Sequence, residues 1–227
     1  MGDKINLALV GAGHWGKNLA RVFNELGILK IICDSSKEIL LKKASKYPEI
    51  STTSSFAEVL ASQNINAVAI AAPAEQHYSL AKKSLLADKH VFVEKPLSMT
   101  AQEGEDLVKI AKRQEKVLFV GHILQYHSAV QTVKRMLHEG ELGKLQYIYS
   151  NRLNLGKIRR EENILWSFAP HDISVILSLV GEEPVDVTAT GTNILHPNIA
   201  DTTITNMKFS SGIGAHIFVS WLHPFKE

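Results

Sequence analysis

Several features that assign a protein to a class are scarce or missing in this sequence. Cys33 is the only cysteine, which excludes an internal disulfide framework and a multi-cysteine metal site and is typical of a reducing compartment. No stretch approaches about 18 consecutive apolar residues, so neither a membrane span nor a signal peptide is expected. The net charge is only +2, and the scatter of both signs along the chain argues against nucleic acid as a partner. We therefore expect a cytoplasmic globular protein that uses no metal, membrane or nucleic acid.

The first half of the chain alternates short apolar runs with amphipathic stretches. The runs are Ile5 to Val10, Ile28 to Cys33, Asn66 to Ala72, His90 to Glu94 and Val117 to Gly121. They are rich in valine, isoleucine and alanine and lack the polar alternation of a strand with one wet face. This composition is typical of parallel strands covered by helices on both faces. The pattern predicts an α/β fold for residues 1–121, a Rossmann domain with a doubly wound parallel sheet.

The second half has a different pattern. A helix is expected over residues 127–139, and another begins near Pro170, which suits the first turn. The segments "LQYIYSNRLNL", "DVTATGT", "TTITNMKFS" and "IGAHIFVSW" alternate polar and apolar residues, as strands with one covered face do. Ser211 and Gly212 predict a hairpin between the last two strands. Residues 122–227 are therefore expected to form an α+β domain with a mostly antiparallel sheet.

A glycine-rich turn, "GAGHWG", follows the first apolar run. The motif alone is weak, but it lies between a predicted strand and a predicted helix, and Asp34 ends the next strand about 20 residues later. Gly11 allows the tight turn, Gly13 lets a pyrophosphate approach the backbone, and Gly16 lets helix and strand pack closely. The amino terminus of the helix then offers N–H donors and partial positive charge to the phosphates. The turn predicts a dinucleotide site, although a glycine-rich turn without a ligand is the alternative.

The acidic residue at the end of the second strand bears on the choice of cofactor. Asp34 is expected to accept hydrogen bonds from the adenosine ribose hydroxyls and to repel a 2′-phosphate, which favours NAD over NADP. His14 and Trp15 lie inside the glycine turn and are counted with the cofactor-binding residues, although both also suit turn and packing roles.

The stretch "AAPAEQHYSLAKKSLLADKHVFVEKPLSMT" resembles the Gfo/Idh/MocA family of NAD(P)-dependent sugar oxidoreductases, most specifically in its triplet Glu94-Lys95-Pro96. The resemblance extends from Lys4 to about the end of the chain. It implies that Lys95 lies beside the nicotinamide and the substrate hydroxyl and that the bond before the proline is commonly cis. It further implies cofactor contacts for Ala72, Pro73, His77, Glu94 and His122. Without that resemblance, Lys95 is a solvated charge at a strand end.

A second family motif, Asp followed four residues later by His, is only half retained. His171 in "SFAPHDIS" matches the histidine, but Ser167 stands where the family has aspartate. A neutral imidazole suits a base that takes the proton from a carbinol, whereas Asp172 is a poor substitute for the missing carboxylate, because adjacent helical residues point in different directions. A helix-start histidine satisfied by backbone is the alternative for His171. His122 and His127 fall where the family lines the nicotinamide end of its cleft, and interdomain packing is equally compatible with them.

Several cations and an aromatic residue precede the proposed base. Planar guanidinium groups suit phosphate or carboxylate oxygens, so an anionic substrate is favoured over isolated solvated charges. The proposed substrate-binding residues are Lys95, Arg152, Lys157, Arg159, Arg160, Trp166 and His171. The cluster resembles the branch of the family that oxidises nucleotide sugars at C3, such as UDP-N-acetylglucosamine or UDP-N-acetylglucosaminuronate 3-dehydrogenases.

These residues predict hydride transfer from a sugar secondary hydroxyl to NAD, with Lys95 and His171 as the catalytic residues. The alternatives are a dehydrogenase of a free sugar or polyol such as inositol, and a non-catalytic NAD-binding regulatory protein of the same fold. Family members usually have a longer second domain, whereas this sequence stops at "SWLHPFKE" straight after a strand. Two explanations are open: the chain is a fragment with a truncated second domain, or the sheet is short and finishes against a partner. An open sheet of this kind promotes association, and the family resemblance also implies a homo-oligomer, a dimer or tetramer packed through the C-terminal sheet.

Overall fold

The computed structural model describes residues 4–155 and 162–225. The chain divides after Gly121 into two compact units. The first unit contains a six-stranded parallel sheet in the order β3-β2-β1-β4-β5-β6. Its strands are β1 Leu7–Val10, β2 Leu29–Cys33, β3 Ser51–Thr53, β4 Ala67–Ile70, β5 His90–Val93 and β6 Leu118–Val120, and its helices are α1 Gly16–Glu25, α2 Lys37–Lys46, α3 Phe56–Ala61, α4 Ala74–Leu86 and α5 Ala101–Arg113. The predicted doubly wound α/β sheet is confirmed.

The central strands explain why the apolar runs have no polar alternation. All four residues of β1 are buried, and alternate side chains enter two separate hydrophobic clusters. Ala8 and Val10 belong to one cluster, whereas Leu7 and Leu9 belong to the other. Helical layers on both faces therefore bury every position of the strand.

Two elements of this unit were missed by the sequence pattern. Strand β3 is only three residues long and polar, and it lies at the edge of the sheet next to β2. The short helix α3 follows it, with Ser55 as its cap accepting from the backbone N–H of Glu58. Neither element has the length or apolar periodicity on which a sequence prediction depends.

The second unit contains a four-stranded mixed sheet in the order β7-β10-β9-β8. Its elements are a short 3₁₀ helix at Ile123–Tyr126, α6 Ser128–His138, β7 Tyr147–Leu153, α7 Ile164–Val180, β8 Pro184–Thr192, β9 Thr202–Phe209 and β10 Gly214–Ser220. β10 pairs antiparallel with β9, as the hairpin prediction requires, but parallel with β7. The α+β prediction, with a mostly antiparallel sheet, is confirmed.

Helix α7 packs on one face of this sheet, where Ile217, Val219 and Trp221 are fully buried in a common core with Ile164 and Ile176. Side chains of β9 alternate between buried and exposed along its length, so the opposite face of the sheet carries exposed side chains. Among the described residues, no helix is both long and apolar enough to cross a bilayer.

The predicted start of α7 was wrong. Pro170 lies inside the helix, which begins at Ile164 and is capped by the Asn163 side chain accepting from the backbone N–H of Trp166. The sequence signal of a proline in the first turn therefore misplaced the helix start by about two turns, because an asparagine cap further upstream determines where the helix begins.

Candidate active site

The glycine loop after β1 is packed so closely that two of its positions exclude any side chain. Gly11 has a φ of +86°, and a Cβ added there would lie 2.7 Å from the backbone of Ala71. A Cβ at Gly16 would lie 2.0 Å from the Gly11 carbonyl oxygen. These two glycines therefore serve the turn itself and the close contact between β1 and α1.

Gly13 differs from its two neighbours in the motif. Among the described residues, no heavy atom outside the glycine and its chain neighbours lies within 4 Å of a Cβ built at Gly13. Helix α1 begins at Gly16, directly after the loop, so its amino-terminal N–H groups lie at the same place. An open approach to the backbone beside a helix amino terminus fits a pyrophosphate group, and the loop therefore suits a dinucleotide such as NAD.

The carboxylate of Asp34 is fixed beside this loop. It accepts hydrogen bonds from the backbone N–H of Ala12, at 2.7 Å, and from that of Ser36, at 2.9 Å. The second bond holds the turn into α2, whose cap is Ser36. Asp34 therefore joins the glycine loop to the end of β2 and keeps a negative charge at their junction.

Three more of the expected site residues follow neighbouring strands. The strands β1, β4 and β5 are adjacent and parallel, with Val10 opposite Ile70 and Ile70 opposite Val93. The glycine loop, the segment Ala72 and Pro73, and Lys95 therefore all leave the same edge of the sheet. The order of the strands reverses between β1 and β4, and the carboxyl ends at such a reversal form the usual ligand crevice of this sheet type.

A buried carboxylate connects the glycine loop to the triplet of β5. The indole Nε1 of Trp15 donates to Glu94 Oε1 at 2.6 Å. Burial raises the pKa of the Glu94 carboxyl, and the hydrogen bonds from Trp15 and from the backbone N–H of Lys95 oppose that rise. A Cβ at Gly121 would lie 3.0 Å from either carboxylate oxygen, so the end of β6 also closes around Glu94. No feature of the sequence indicated the contact between Trp15 and Glu94, which are 79 positions apart.

His77 is buried in the first turns of α4. Its Nδ1 lies 2.7 Å from the Pro96 carbonyl oxygen, and its Nε2 lies 2.9 Å from the Ala72 carbonyl oxygen. The ring therefore contacts both segments that follow β4 and β5. The peptide bond between Lys95 and Pro96 is cis, and Lys95 itself is half-buried.

In the second unit, a buried carboxylate lies next to the proposed base in sequence. Asp172 accepts from Ser150 Oγ at 2.7 Å and from Arg152 through Nε at 2.7 Å and Nη2 at 3.1 Å. The carboxylate of Asp172 is thus directed to β7, which agrees with the argument that it is a poor substitute for the family aspartate. Arg152 is held by two of its nitrogens, so its expected substrate contact competes with this pair.

The remaining site residues of this unit lie on or near its helices. His171 is half-buried on α7, and Ser167 is buried one turn earlier on the same helix. Trp166 is half-buried in the first turn, and His122 is half-buried just before the 3₁₀ helix. His127 accepts from the backbone N–H of Ala129 and caps α6. Lys157, Arg159 and Arg160 lie outside the described residues.

The parallel sheet, the glycine loop with an open approach at Gly13 and the carboxylate at the end of β2 define a dinucleotide-binding protein of the Rossmann type. The chain belongs to the Gfo/Idh/MocA oxidoreductase family. Residues 5–122 match the domain described as "Oxidoreductase family, NAD-binding Rossmann fold", and residues 130–227 match the "GFO/IDH/MocA C-terminal domain".

Two characterised relatives have different activities. The chain is 28% identical over 224 residues to 2,7-anhydro-N-acetylneuraminate hydratase from Escherichia coli, with 92% of this chain and 59% of the relative covered. It is 28% identical over 218 residues to UDP-N-acetylglucosamine 3-dehydrogenase from Acidithiobacillus ferrooxidans, with 93% of this chain and 66% of the relative covered. The chain therefore spans less than two thirds of the length of either relative.

Solved structures support the same fold. The structure of the Acidithiobacillus ferrooxidans UDP-N-acetylglucosamine 3-dehydrogenase superposes with a TM-score of 0.85 at 27% identity, covering 98% of this chain and 71% of the other. GenD2 from gentamicin A biosynthesis, solved in complex with NAD, gives a TM-score of 0.90 at 20% identity, and the superposition covers 99% of this chain and 68% of GenD2. At that lower identity the second likeness concerns the fold alone.

Proposed function

We propose that this protein is an NAD-dependent oxidoreductase that oxidises a secondary hydroxyl of a sugar, most specifically C3 of a UDP-N-acetyl amino sugar or its uronate. The observation that carries the proposal is that Lys95 follows β5 at the sheet edge where the glycine loop leaves β1. A cation at that edge is suited to stabilise negative charge on a substrate oxygen. The UDP-N-acetylglucosamine 3-dehydrogenase among the relatives supports the substrate class.

The proposed reaction removes a hydride from the carbinol carbon and a proton from its oxygen. NAD, when bound, accepts the hydride. Lys95 donates a hydrogen bond to the carbinol oxygen and stabilises the charge that develops as the O–H proton leaves. His171 accepts that proton, which leaves a keto group on the sugar. Because Ser167 replaces the family aspartate, another group must orient the His171 ring.

NAD is proposed as the cofactor in preference to NADP. The preference rests on the negative charge of Asp34, which the backbone N–H groups of Ala12 and Ser36 hold beside the glycine loop. A 2′-phosphate near this carboxylate would meet like charge at short range.

A dehydrogenase of a free sugar or polyol is the second candidate, and a specific contact favours it. Arg152 is the one proposed substrate cation of the second unit within the described residues, and it is paired with Asp172. A free polyol needs no cation, and inositol 2-dehydrogenase from Rhizobium meliloti is a relative at 26% identity. The anionic substrate therefore depends on the sequence cluster of Lys157, Arg159 and Arg160.

The reduced-nicotinamide fluorescence of NAD-loaded protein under single-turnover conditions tests this proposal. The panel consists of UDP-sugars, free sugars and inositols. We expect a signal from one UDP-sugar that weakens as ionic strength rises, because phosphate contacts are screened by salt. A signal from a free sugar or inositol, without salt dependence, would replace the first candidate by the second. Silence across the panel with NAD binding intact would indicate a non-catalytic NAD-binding protein.

We also propose that the protein forms a homo-oligomer through the exposed face of the second sheet. Tyr147 and Tyr149 are 51% and 65% exposed there. The two rings stack with each other, and Tyr149 also stacks with His216. Ile204, on the neighbouring part of that face, is 48% exposed. An aromatic and apolar surface of this kind is typical of an interface.

Light scattering of the wild type and of Tyr149→Glu tests the oligomer. We expect the wild type to have the mass of a dimer or tetramer, and the charged variant to shift toward the monomer at the same concentration. The control is Val108→Glu. Val108 is an exposed residue of α5 in the other unit, so this variant should not change the mass. A monomeric wild type would refute this proposal.

A further inference from the structure

We propose that His77 is a positioning residue for Lys95, acting through the Pro96 carbonyl group and not through contact with the cofactor. The inference rests on the proposed role of Lys95, because it assigns His77 a part in holding that residue. It also departs from the family resemblance, which implied that His77 flanks the cofactor.

The hydrogen-bonding capacity of His77 is used by the backbone. His77 is 2% exposed, and its two ring nitrogens lie 2.7 Å from the Pro96 oxygen and 2.9 Å from the Ala72 oxygen. Both partners are carbonyl oxygens, which only accept, and an imidazole in its neutral form has a single N–H. In this proposal that N–H lies on Nδ1, whose distance to its carbonyl oxygen is the shorter of the two. A direct polar contact between His77 and a bound dinucleotide would therefore require the ring to leave one of these carbonyl groups.

The two carbonyl groups belong to the segments that carry the proposed chemistry. Ala72 follows β4, and Pro96 follows β5 immediately after Lys95. Helix α4, which carries His77, begins at Ala74 and is thus continuous with the first segment. The ring therefore ties the lysine segment to the amino-terminal turns of α4, across the carboxyl ends of two adjacent strands.

The backbone around Lys95 is then held from both sides. Its own N–H donates to the Glu94 carboxylate, which also accepts from Trp15. The next carbonyl group, that of Pro96, meets His77. Pro96 is buried, and a buried carbonyl group that loses its partner is costly. The segment is therefore expected to move if the contact with His77 is removed.

Small displacements of a reacting group have large kinetic effects. A misplacement of roughly 1 Å can lower a rate by about a hundredfold, and residues that hold such groups act through their own packing and hydrogen bonds. The burial of His77 and its two contacts meet that description. Its contribution is expected in the rate of hydride transfer and in the environment of the Lys95 amine.

Two amide variants separate the contacts of His77. The side-chain nitrogen of His77→Asn can replace Nδ1 and donate to the Pro96 oxygen, whereas that of His77→Gln can replace Nε2 and donate to the Ala72 oxygen. Each variant keeps an N–H donor toward one carbonyl group and gives up the nitrogen that faces the other. Similar thermal midpoints are therefore expected, so the pair is matched for structural damage.

The rate of Lys95 modification by trinitrobenzenesulfonate, followed by peptide mass spectrometry, is the readout that does not require turnover. We expect His77→Asn to keep the wild-type rate within about twofold and His77→Gln to change it at least about fivefold, since only the latter frees the Pro96 segment. The Kd for NAD should stay within about threefold in both variants, a change of less than 1 kcal/mol.

Single-turnover hydride transfer, with the substrate that the panel identifies, supplies the second readout. We expect His77→Gln to lower it by about ten- to a hundredfold and His77→Asn to leave it nearly unchanged. Equal Lys95 modification rates in both variants, or the greater change in His77→Asn, would refute the positioning role. A large rise in the Kd for NAD with unchanged Lys95 modification would instead assign His77 to the cofactor.

Each measurement also separates this inference from the proposed function. If the wild type turns over no sugar, the proposed function fails, while the modification rates still decide the role of His77. If one variant does not fold, the other can still refute the role, because a wild-type modification rate in His77→Gln, or a changed rate in His77→Asn, would contradict it.

Discussion

Replacing Lys95 with alanine is expected to lower single-turnover hydride transfer by about a hundred- to a thousandfold, the usual effect of removing one group that stabilises a developing oxyanion. The Kd for NAD should stay within about threefold, because the glycine loop and Asp34 are the residues proposed to bind the other end of the dinucleotide. Stopped-flow fluorescence of the reduced nicotinamide gives the first quantity, and calorimetric titration gives the second.

Two further variants make this result specific to the position and chemistry of the amine. Lys95→Arg keeps the charge but spreads it over a planar group with a different reach, so we expect only partial activity. Lys109 is an exposed lysine of α5 that pairs with Glu105, and Lys109→Ala should turn over like the wild type. Undiminished turnover in Lys95→Ala would rule out the assigned role of Lys95.

The predictable parts of the fold are those that depend on patterns of neighbouring residues in the sequence. Continuous apolar runs report burial on both faces, as all four residues of β1 show. The glycine spacing reports a turn that only glycine can form, as the close contacts of Gly11 and Gly16 show. Such features depend on residues close together in sequence, so a single chain is enough to read them.

The contacts that organise the candidate site were not predictable in the same way. Trp15 meets Glu94 across 79 positions, and Arg152 meets Asp172 across 20. Each residue alone has an ordinary local interpretation. Trp15 can be read as a packing residue, Glu94 as an acid at a strand end and Arg152 as a surface charge. Only the fold shows which of them meet, because a long-range pair leaves no periodic signal in one sequence.

This difference changes the interpretation of two site residues. Arg152 was expected to bind substrate, but its buried partner Asp172 gives it a structural contact, and removing one member of such a pair is strongly destabilising. His77 was expected beside the cofactor, but its ring nitrogens contact backbone carbonyl groups. In both cases the sequence showed a residue type suited to a binding site, whereas the group that the residue contacts could be known only from the fold.

Replacing Gly13 with alanine is expected to weaken NAD binding at least about tenfold, a change of roughly 1.4 kcal/mol, while leaving the folded protein intact. Among the described residues, no neighbouring heavy atom lies within 4 Å of the added Cβ, and the φ of Gly13 lies outside the left-handed region. The methyl group therefore fits the loop and occupies the space through which a pyrophosphate would reach the backbone. Calorimetric titration with NAD measures the loss, and urea denaturation measures the stability.

Gly16→Ala is the matched comparison, because the same atom is added three residues later in the same motif. Its Cβ would lie 2.0 Å from the Gly11 carbonyl oxygen, so either the backbone of the turn or α1 must move. We expect a loss of up to about 3 kcal/mol in the free energy of unfolding, as overpacking produces, together with weaker NAD binding. The two variants thus separate an effect on the ligand from an effect on the loop. Wild-type NAD affinity in a stable Gly13→Ala variant would mean that the pyrophosphate does not approach this backbone, and the dinucleotide site would have to be placed elsewhere.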